Sequence, residues 1–219
     1  MTSAFISTME IEIYADVVCP WCWIGKRRLE RALESYDGEV TVTYRPFQLD
    51  PAPVTEPRPL LNALADKFGG PQRAEAAAAQ VTQVAAGVGL EMRFDRAVYA
   101  NTFEAHRLIR FAAARGCAGQ VVEALYRAHF ADGVDIGSRD ALVELAVDAG
   151  LDGAEVREHL TSNLGRREVA ADLSAAHQLG VRSVPTFVLG GRYAVSGAQE
   201  PETLLGALRE VAQRETTAE

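Results

Sequence analysis

The chain has 219 residues, of which 48% are hydrophobic and 24% charged, with a formal net charge of −8. This composition is typical of a globular protein with one large or two small domains. Phosphate binding requires clustered Lys and Arg, and residues 26–28 form the one short basic cluster, so a nucleic-acid partner is disfavoured. The absence of 18 consecutive apolar residues argues against a membrane partner. The first ten residues lack the Lys and Arg of a signal peptide, which predicts a cytoplasmic protein.

The beginning of the chain predicts a strand–helix–strand unit. Residues 10–15 alternate apolar and polar side chains and are rich in β-branched and aromatic types, as in a strand. Residues 17–36 change to helical periodicity, and Pro20 suits the first helical turn, where a missing N–H costs nothing. Residues 40–49 predict a second strand. The two strands are therefore expected to be parallel, with the helix crossing between them.

The end of the chain predicts the remainder of the same sheet. Residues 183–197 indicate two short strands joined at Gly190-Gly191, and residues 201–213 an amphipathic helix that starts at a proline. Neither terminal segment completes a stable sheet alone. We therefore predict that the two segments pair.

The middle of the chain predicts helices only. A proline-rich loop at 50–59 leaves the sheet, and helical periodicity then recurs at residues 72–86, 102–115, 119–131, 138–149, 152–163 and 166–179. The predicted organisation has three parts. They are a disordered N-terminal extension at 1–9, an α/β domain formed by 10–52 and 180–215, and a helical insertion domain at 53–179.

The sequence Cys19-Pro20-Trp21-Cys22 stands where the first strand meets the helix. Two residues three apart at a helix start lie about 5–6 Å from each other, the span of a disulfide. Unpaired backbone N–H groups and the positive end of the helix dipole favour a thiolate at Cys19. This arrangement predicts a redox pair in which an exposed Cys19 attacks a substrate and a shielded Cys22 resolves the mixed disulfide.

Zinc is the main structural alternative for a Cys-x-x-Cys pair. A zinc site needs two more ligands at related spacing, and the sequence has no second pair. The four histidines stand singly on predicted helices: His106, His129, His159 and His177. We therefore expect no metal and no cofactor beyond the redox-active disulfide, with glutathione as a possible co-substrate.

Several motifs resemble the DsbA family of thioredoxin-fold oxidoreductases. They are the CPWC sequence after a strand, the later Ser183-Val184-Pro185-Thr186, and the helical insertion between them. Two further stretches resemble the FrnE-like branch, namely Pro46-Phe47-Gln48-Leu49-Asp50-Pro51 and Asn101-Thr102 with Ala105-His106-Arg107-Leu108. The resemblance covers about residues 10–213. It implies an α/β thioredoxin-like fold with a long all-helical insertion, and the activity of a protein-disulfide oxidoreductase or isomerase.

The resemblance also implies a role for Val184 and Pro185. In the family this proline is cis and packs beside the two sulfurs, and the backbone of the residue before it pairs with an extended substrate. The residues alone favour an ordinary trans proline at a strand edge, because cis bonds are a small minority.

The other residues near the cysteine pair give weaker indications of function. The best-known oxidases of the family have a histidine where Trp21 stands, and Trp21 supplies no charge. Asp16 is expected to be a polar residue at the strand end whose charge opposes a thiolate, and Lys26 is expected to point to solvent. His106 and Arg107 are expected at the surface or at the edge of the core rather than in contact with substrate.

Two other functions remain open at this point. Kappa-class glutathione transferases and 2-hydroxychromene-2-carboxylate isomerases share the fold with a helical insertion and act on small molecules with glutathione, in one case an aromatic acid. They have serine where Cys19 stands, which counts against that reading. A non-catalytic chaperone would hold clients on apolar surface from Pro20, Trp21 and Trp23. The leading hypothesis stays a thiol–disulfide oxidoreductase for protein or small thiol substrates, with the insertion as a possible homodimer surface. A small aromatic substrate of polyketide metabolism belongs to the glutathione-dependent alternative.

Overall fold

The computed structural model describes residues 8–217, and it contains a four-stranded mixed sheet surrounded by helices. The strands are β1 (Met9–Ala15), β2 (Val40–Pro46), β3 (Arg58–Pro59), β4 (Val98–Tyr99), β5 (Thr186–Leu189) and β6 (Tyr193–Ser196). The helices are α1 (Pro20–Leu33), α2 (Leu60–Phe68), α3 (Pro71–Gly87), α4 (Phe103–Ala113), α5 (Ala118–Arg127), α6 (Arg139–Asp148), α7 (Gly153–Thr161), α8 (Arg166–Gln178) and α9 (Pro201–Thr217). A π-helical turn, Ala128–Asp132, follows α5. Within residues 8–217, no helix has both the length and the apolar character needed to span a bilayer.

The main sheet has the strand order β2-β1-β5-β6, so the two ends of the chain meet at its centre. Strands β1 and β2 are parallel and are connected through α1, whereas β5 runs antiparallel to both β1 and β6. Ile13 of β1 stands opposite Tyr44 of β2 on one side and Phe187 of β5 on the other. The predicted α/β thioredoxin-like fold with a helical insertion is confirmed.

One hydrophobic core joins the sheet to the insertion. Ile11 and Ile13 are almost fully buried, and they belong to one cluster with Leu29 of α1, Leu108 of α4 and Leu208 of α9. Burial of these aliphatic side chains is the main stabilising contribution of the fold, at about 1.5–3 kcal/mol each. The division into two domains at residues 53 and 179 stays a prediction.

The boundaries differ from the sequence expectations in a few places. Met9, assigned above to the disordered extension, is the first residue of β1, because its side chain is 2% exposed and its N–H donates to the Glu39 carbonyl at 2.8 Å. Residues 1–7 of that extension lie outside the described part of the chain. Strand β2 ends at Pro46, the partner of Ala15 at the end of β1, and not at residue 49. The small β3–β4 ladder in the insertion was not predicted.

The π-helical turn buries His129 without a polar partner. Its side chain is 0% exposed, and neither ring nitrogen has a hydrogen-bond partner among the described residues. The ring packs edge-on against Phe130 with 4.5 Å between ring centroids. Burial lowers the pKa of His129 from 6.5 to about 4, against a small opposing effect of the Asp16 charge. His129 is therefore neutral in the folded protein near pH 7.

This buried histidine predicts a loss of stability in mild acid. The unfolded chain binds a proton at His129 below about pH 6.5, whereas the folded chain does so only near pH 4. Stability is therefore retained above pH 6.5 and falls by up to about 1.4 kcal/mol per pH unit between these values. Between pH 7 and pH 4.5, the free energy of unfolding measured in urea is expected to fall by about 2 kcal/mol less for His129→Leu than for the wild type. Equal losses in the two proteins would contradict this account.

Candidate active site

The cysteine pair stands at the N-terminus of α1. Cys19 is the N-cap residue and Pro20 the first helical residue, where its fixed φ suits the helix and its missing N–H leaves no unpaired donor. The Cys19 N–H donates to the Asp16 carbonyl, and the Cys22 N–H to the Cys19 carbonyl, each at 3.0 Å. Because no side chain caps this helix end, its remaining N–H groups are available to stabilise negative charge at the Cys19 sulfur.

The two sulfurs differ in burial in the predicted order, but Cys19 is less accessible than predicted. Cys19 is 5% exposed and Cys22 is 1% exposed, and both are free thiols. Cys19 Sγ lies 3.7 Å from the carbonyl oxygen of Val184, so the segment before β5 covers it. Burial raises the pKa of Cys22 well above its usual range, and the hydrogen bond with Cys19 and the charges of Cys19 and Asp16 act in the same direction. Cys22 is therefore held as a neutral thiol behind the more accessible sulfur.

The strand that covers the pair approaches α1 at a glycine. The Val184–Pro185 peptide bond is cis. A Cβ atom on Gly25 would lie 2.8 Å from Pro185 Cγ and 3.2 Å from Phe187 Cζ, so the close approach of β5 requires glycine here. Sequence reasoning missed Gly25, although a glycine inside an amphipathic helix is a signal for close packing.

Asp16 is a buried link and not simply a polar residue at a strand end. It is 0% exposed, and its Oδ2 accepts the N–H of Leu49 at 2.8 Å. Its Oδ1 lies 3.4 Å from His106 Nε2, which also lies 3.0 Å from the Phe47 carbonyl oxygen. Since both neighbours of that nitrogen are acceptors, Nε2 carries the hydrogen. Asp16 thus fastens the loop after β2 to the end of β1 through Leu49, and His106 holds the same loop to α4 through Phe47, while Asp16 Oδ1 has no hydrogen-bond partner among the described residues.

Lys26 does not point to solvent as expected. Its side chain is 7% exposed, and Nζ lies 2.6 Å from carboxylate oxygens of both Glu30 and Glu123. Burial alone would lower the pKa of Lys26, but the hydrogen bonds to Glu123 and Glu30 raise it. The ammonium therefore ties α1 to α5.

The two tryptophans of the motif have different environments. Trp23 is 4% exposed, stacks on Tyr126 at 6.0 Å between ring centroids and donates from Nε1 to Glu123 at 3.1 Å. It cannot supply the exposed apolar surface proposed above for a chaperone. Trp21 and Pro20 are half-buried next to the sulfurs. The apolar rim of the pair is thus smaller than the sequence suggested.

His106 and Arg107 lie deeper than the expected surface or core edge: His106 is buried against the end of β1 and the loop after β2, and Arg107 is buried within the insertion. Arg107 is 0% exposed, and its guanidinium donates to the carbonyl oxygens of His159, Leu160, Ser162 and Leu164. These carbonyls lie in and just after the last turn of α7, where backbone acceptors lack helical partners. The Arg107 side chain therefore supplies donors to the end of α7, and the absence of a substrate contact at either residue stays a prediction. In residues 8–217 no three His, Cys, Asp or Glu side chains are grouped in a way that suits a metal ion.

The mixed sheet with its helical insertion and the cysteine pair at the start of α1 together define a class of protein. A sequence model of the DSBA-like thioredoxin domain matches residues 10–209, and the chain belongs to this family. It is 40% identical to the probable DsbA oxidoreductase SCO1869 from Streptomyces coelicolor, whose crystal structure superposes with a TM-score of 0.88 over 94% of this chain and 91% of that one.

Two further proteins are similar to this chain, one in sequence and one in structure. The uncharacterized protein YwbO from Bacillus subtilis is 29% identical over 185 residues, or 84% of this chain and 88% of that protein. The structure of a 2-hydroxychromene-2-carboxylate isomerase is 17% identical with a TM-score of 0.69, over 96% of this chain and 99% of that one. At that identity the likeness shows the fold alone. Membership of the FrnE-like branch stays a prediction.

Proposed function

We propose that the protein is a thiol–disulfide oxidoreductase in which Cys19 is the attacking residue and Cys22 the resolving residue. One observation carries the proposal. The two free thiols occupy the N-terminus of α1, and the Val184–Pro185 segment lies against the more accessible of them. Family membership supports the same class of chemistry.

The reaction transfers two electrons between dithiol and disulfide. The Cys19 thiolate attacks one sulfur of a substrate disulfide, the substrate S–S bond breaks, and the departing thiolate takes up a proton. Cys22 then loses its proton and attacks Cys19 Sγ, which releases the second substrate thiol and leaves a Cys19–Cys22 disulfide. The reverse sequence oxidises a substrate dithiol. The Val184 backbone is suited to pair with an extended substrate segment during attack.

We infer a cytoplasmic setting in which glutathione returns the pair to its starting state, with protein or small-molecule disulfides as substrates. A glutathione-dependent isomerase has less support, because the chain has two buried cysteines at the helix start where such enzymes have a serine. We also propose that the protein assembles into a homodimer and that it belongs to the FrnE-like branch of the family.

The reduction potential of the pair tests this proposal. The protein would be equilibrated in graded glutathione buffers, and its free thiols trapped by alkylation and counted by mass. Cys117 is half-buried and would add a third thiol, so the Cys117→Ser variant gives an unambiguous count. A reversible two-thiol transition is expected, with a midpoint near about −120 mV for an oxidant or about −270 mV for a reductant. A pair that never oxidises, or a Cys19 that stops as a stable glutathione adduct, would contradict the proposal.

A further inference from the structure

Strand β2 forms one edge of the main sheet, and in the described part of the chain no strand pairs with its outer side. At one end of the strand the Met9 N–H donates to the Glu39 carbonyl at 2.8 Å. At the other end the Phe47 N–H donates to the Ala15 carbonyl at 3.1 Å. Since successive residues of a strand direct their backbone groups alternately to its two sides, the odd-numbered residues of β2 face β1. Three even-numbered residues direct both N–H and C=O outward: Val40, Val42 and Tyr44.

This edge lacks the features that usually keep the edge of a sheet unpaired. Such edges are typically protected by a charged side chain, a proline or a bulge. The segment Val40–Tyr44 consists only of valine, threonine and tyrosine, which all favour strands, and its register with β1 is regular. The proline of the strand stands at its end, at Pro46. The segment before it is therefore suited to accept one more strand.

A groove lies along the same edge. One cavity of about 450 Å³ is bounded by residues 41–44 of β2, by α1 and by the turn between α4 and α5. A second cavity of about 890 Å³ continues it between α1, α5 and α6. The two cavities share four lining residues, namely Lys26, Glu30, Tyr44 and Gly119. Outside its own helix, the nearest atom to a Cβ placed on Gly119 is the Tyr44 hydroxyl oxygen at 4.0 Å, so the space opposite the strand is open.

The two faces of β2 would meet different side chains of an added strand. Val42 stands opposite Ile11 of β1, and both belong to the apolar face that packs with Leu29 of α1. Thr41 stands opposite Glu10 on the other face, and both of these side chains are exposed. A strand that fits this edge therefore alternates apolar side chains on the α1 face with polar ones on the exposed face.

The charge on the exposed face and at the start of the strand is negative. Residues 34–39, which lead into β2, contain three exposed carboxylates and no basic side chain. Glu10 adds a fourth beside Thr41. Lys26 in the groove is buried and already held by two carboxylates, so it offers no free positive charge to a partner. The polar side chains of an added strand are thus favoured if they are basic.

We propose that this groove binds an extended basic segment of another polypeptide, which adds as a strand to the outer edge of β2. Main-chain hydrogen bonds to Val40, Val42 and Tyr44 supply the affinity, and the alternation of apolar and basic side chains supplies the specificity. A second copy of this chain fits the edge less well, because two chains of net charge −8 repel each other. The lining of the groove includes neither cysteine of the pair, so the inference does not depend on the proposed function.

A fluorescent octapeptide of alternating valine and lysine, titrated with the protein and followed by anisotropy, tests the proposal. It is expected to bind about tenfold more tightly than the matching valine–glutamate peptide. A proline–lysine peptide has the same charge but cannot form a strand, and it should not bind. Val42→Pro removes one outward N–H and no hydrogen bond to β1, whereas Gly119→Leu fills the groove from the opposite side. Each should weaken binding of the valine–lysine peptide about tenfold.

Gly206→Leu is the matched control, because Gly206 lies in α9, outside the groove, with open space around an added Cβ. Its affinity for the peptide should equal that of the wild type. Circular dichroism checks the folding of the variants, and Gly119→Leu decides the test if Val42→Pro does not fold. Equal binding of the valine–lysine and proline–lysine peptides, or unchanged affinity in Gly119→Leu, would overturn the proposal. So would a wild-type dimer in sedimentation that Gly119→Leu dissociates, because a second copy would then occupy the edge.

Discussion

Replacing Cys19 with serine is expected to abolish disulfide exchange, whereas replacing Cys22 with serine should stop the reaction at a mixed disulfide. Cys19 is the more accessible sulfur and stands at the helix terminus, so its loss removes the attacking group. Cys22 is 1% exposed, and burial raises its pKa. Because it does not compete for the substrate, its replacement affects only the resolving step.

Intact-mass measurement after incubation with a disulfide peptide distinguishes the two variants. Cys22→Ser should gain the mass of one peptide, which a reductant removes, and Cys19→Ser should gain none. Both variants should be made in a Cys117→Ser background, so that the third cysteine cannot form an adduct. Cys117 lies at the start of α5, on a different element from the pair. A stable adduct on Cys19→Ser, or unchanged turnover in either variant, would rule out the assigned roles.

Arg107→Ala should cause the largest loss of stability among single substitutions in the insertion. The guanidinium is fully buried, serves the carbonyl oxygens at the end of α7 and is paired with Glu104. Its removal leaves carbonyl oxygens in and after the last turn of α7 without this donor and takes from the Glu104 carboxylate one of its close cationic partners, while Arg166 remains. Loss of one partner from a buried charged network costs about 3–5 kcal/mol. Arg107→Lys should restore only part of this, because an ammonium cannot reproduce the planar fork of donors.

Arg110→Ala is the control for that substitution. Arg110 lies one turn further along α4, with a side chain that is 45% exposed and paired with Asp172, and exposed pairs contribute about 0–1 kcal/mol. The urea midpoint followed by circular dichroism should therefore fall strongly for Arg107→Ala and little for Arg110→Ala. Similar midpoints for the two variants would show that Arg107 is not a main support of α7.

Local sequence patterns were sufficient to predict the elements that carry the site. Alternation at 10–15, the proline at the helix start and the three-residue spacing of the cysteines depend on neighbours in sequence, and each fits the structure. The pairing of the two chain ends followed from the need to complete a sheet. These inferences required no knowledge of contacts between distant residues.

The environment of the site could not be predicted in the same way. Lys26 meets Glu123 and Asp16 meets His106 across separations of 97 and 90 residues. A charged side chain is expected at the surface until a buried partner is known. Cys19 was likewise expected to be exposed, because the residue that lies against it, Val184, comes 165 residues later in the chain. A glycine inside a helix indicated close packing at Gly25, but the reason, the close approach of Pro185, is seen only in the structure.

The order of strands in the sheet has a consequence for the newly made chain. Strand β5 lies between β1 and β6, and Val184 is synthesised 165 residues after Cys19. At a translation rate of about 5–20 residues per second, the cysteines leave the ribosome on the order of ten seconds before the strand that covers them. Throughout that interval neither thiol has its final environment, and both are open to oxidation or to capture by other thiols. Full cover of Cys19 is thus among the last properties the protein acquires, and a truncated chain that ends before β5 lacks the Val184 segment that lies against this sulfur.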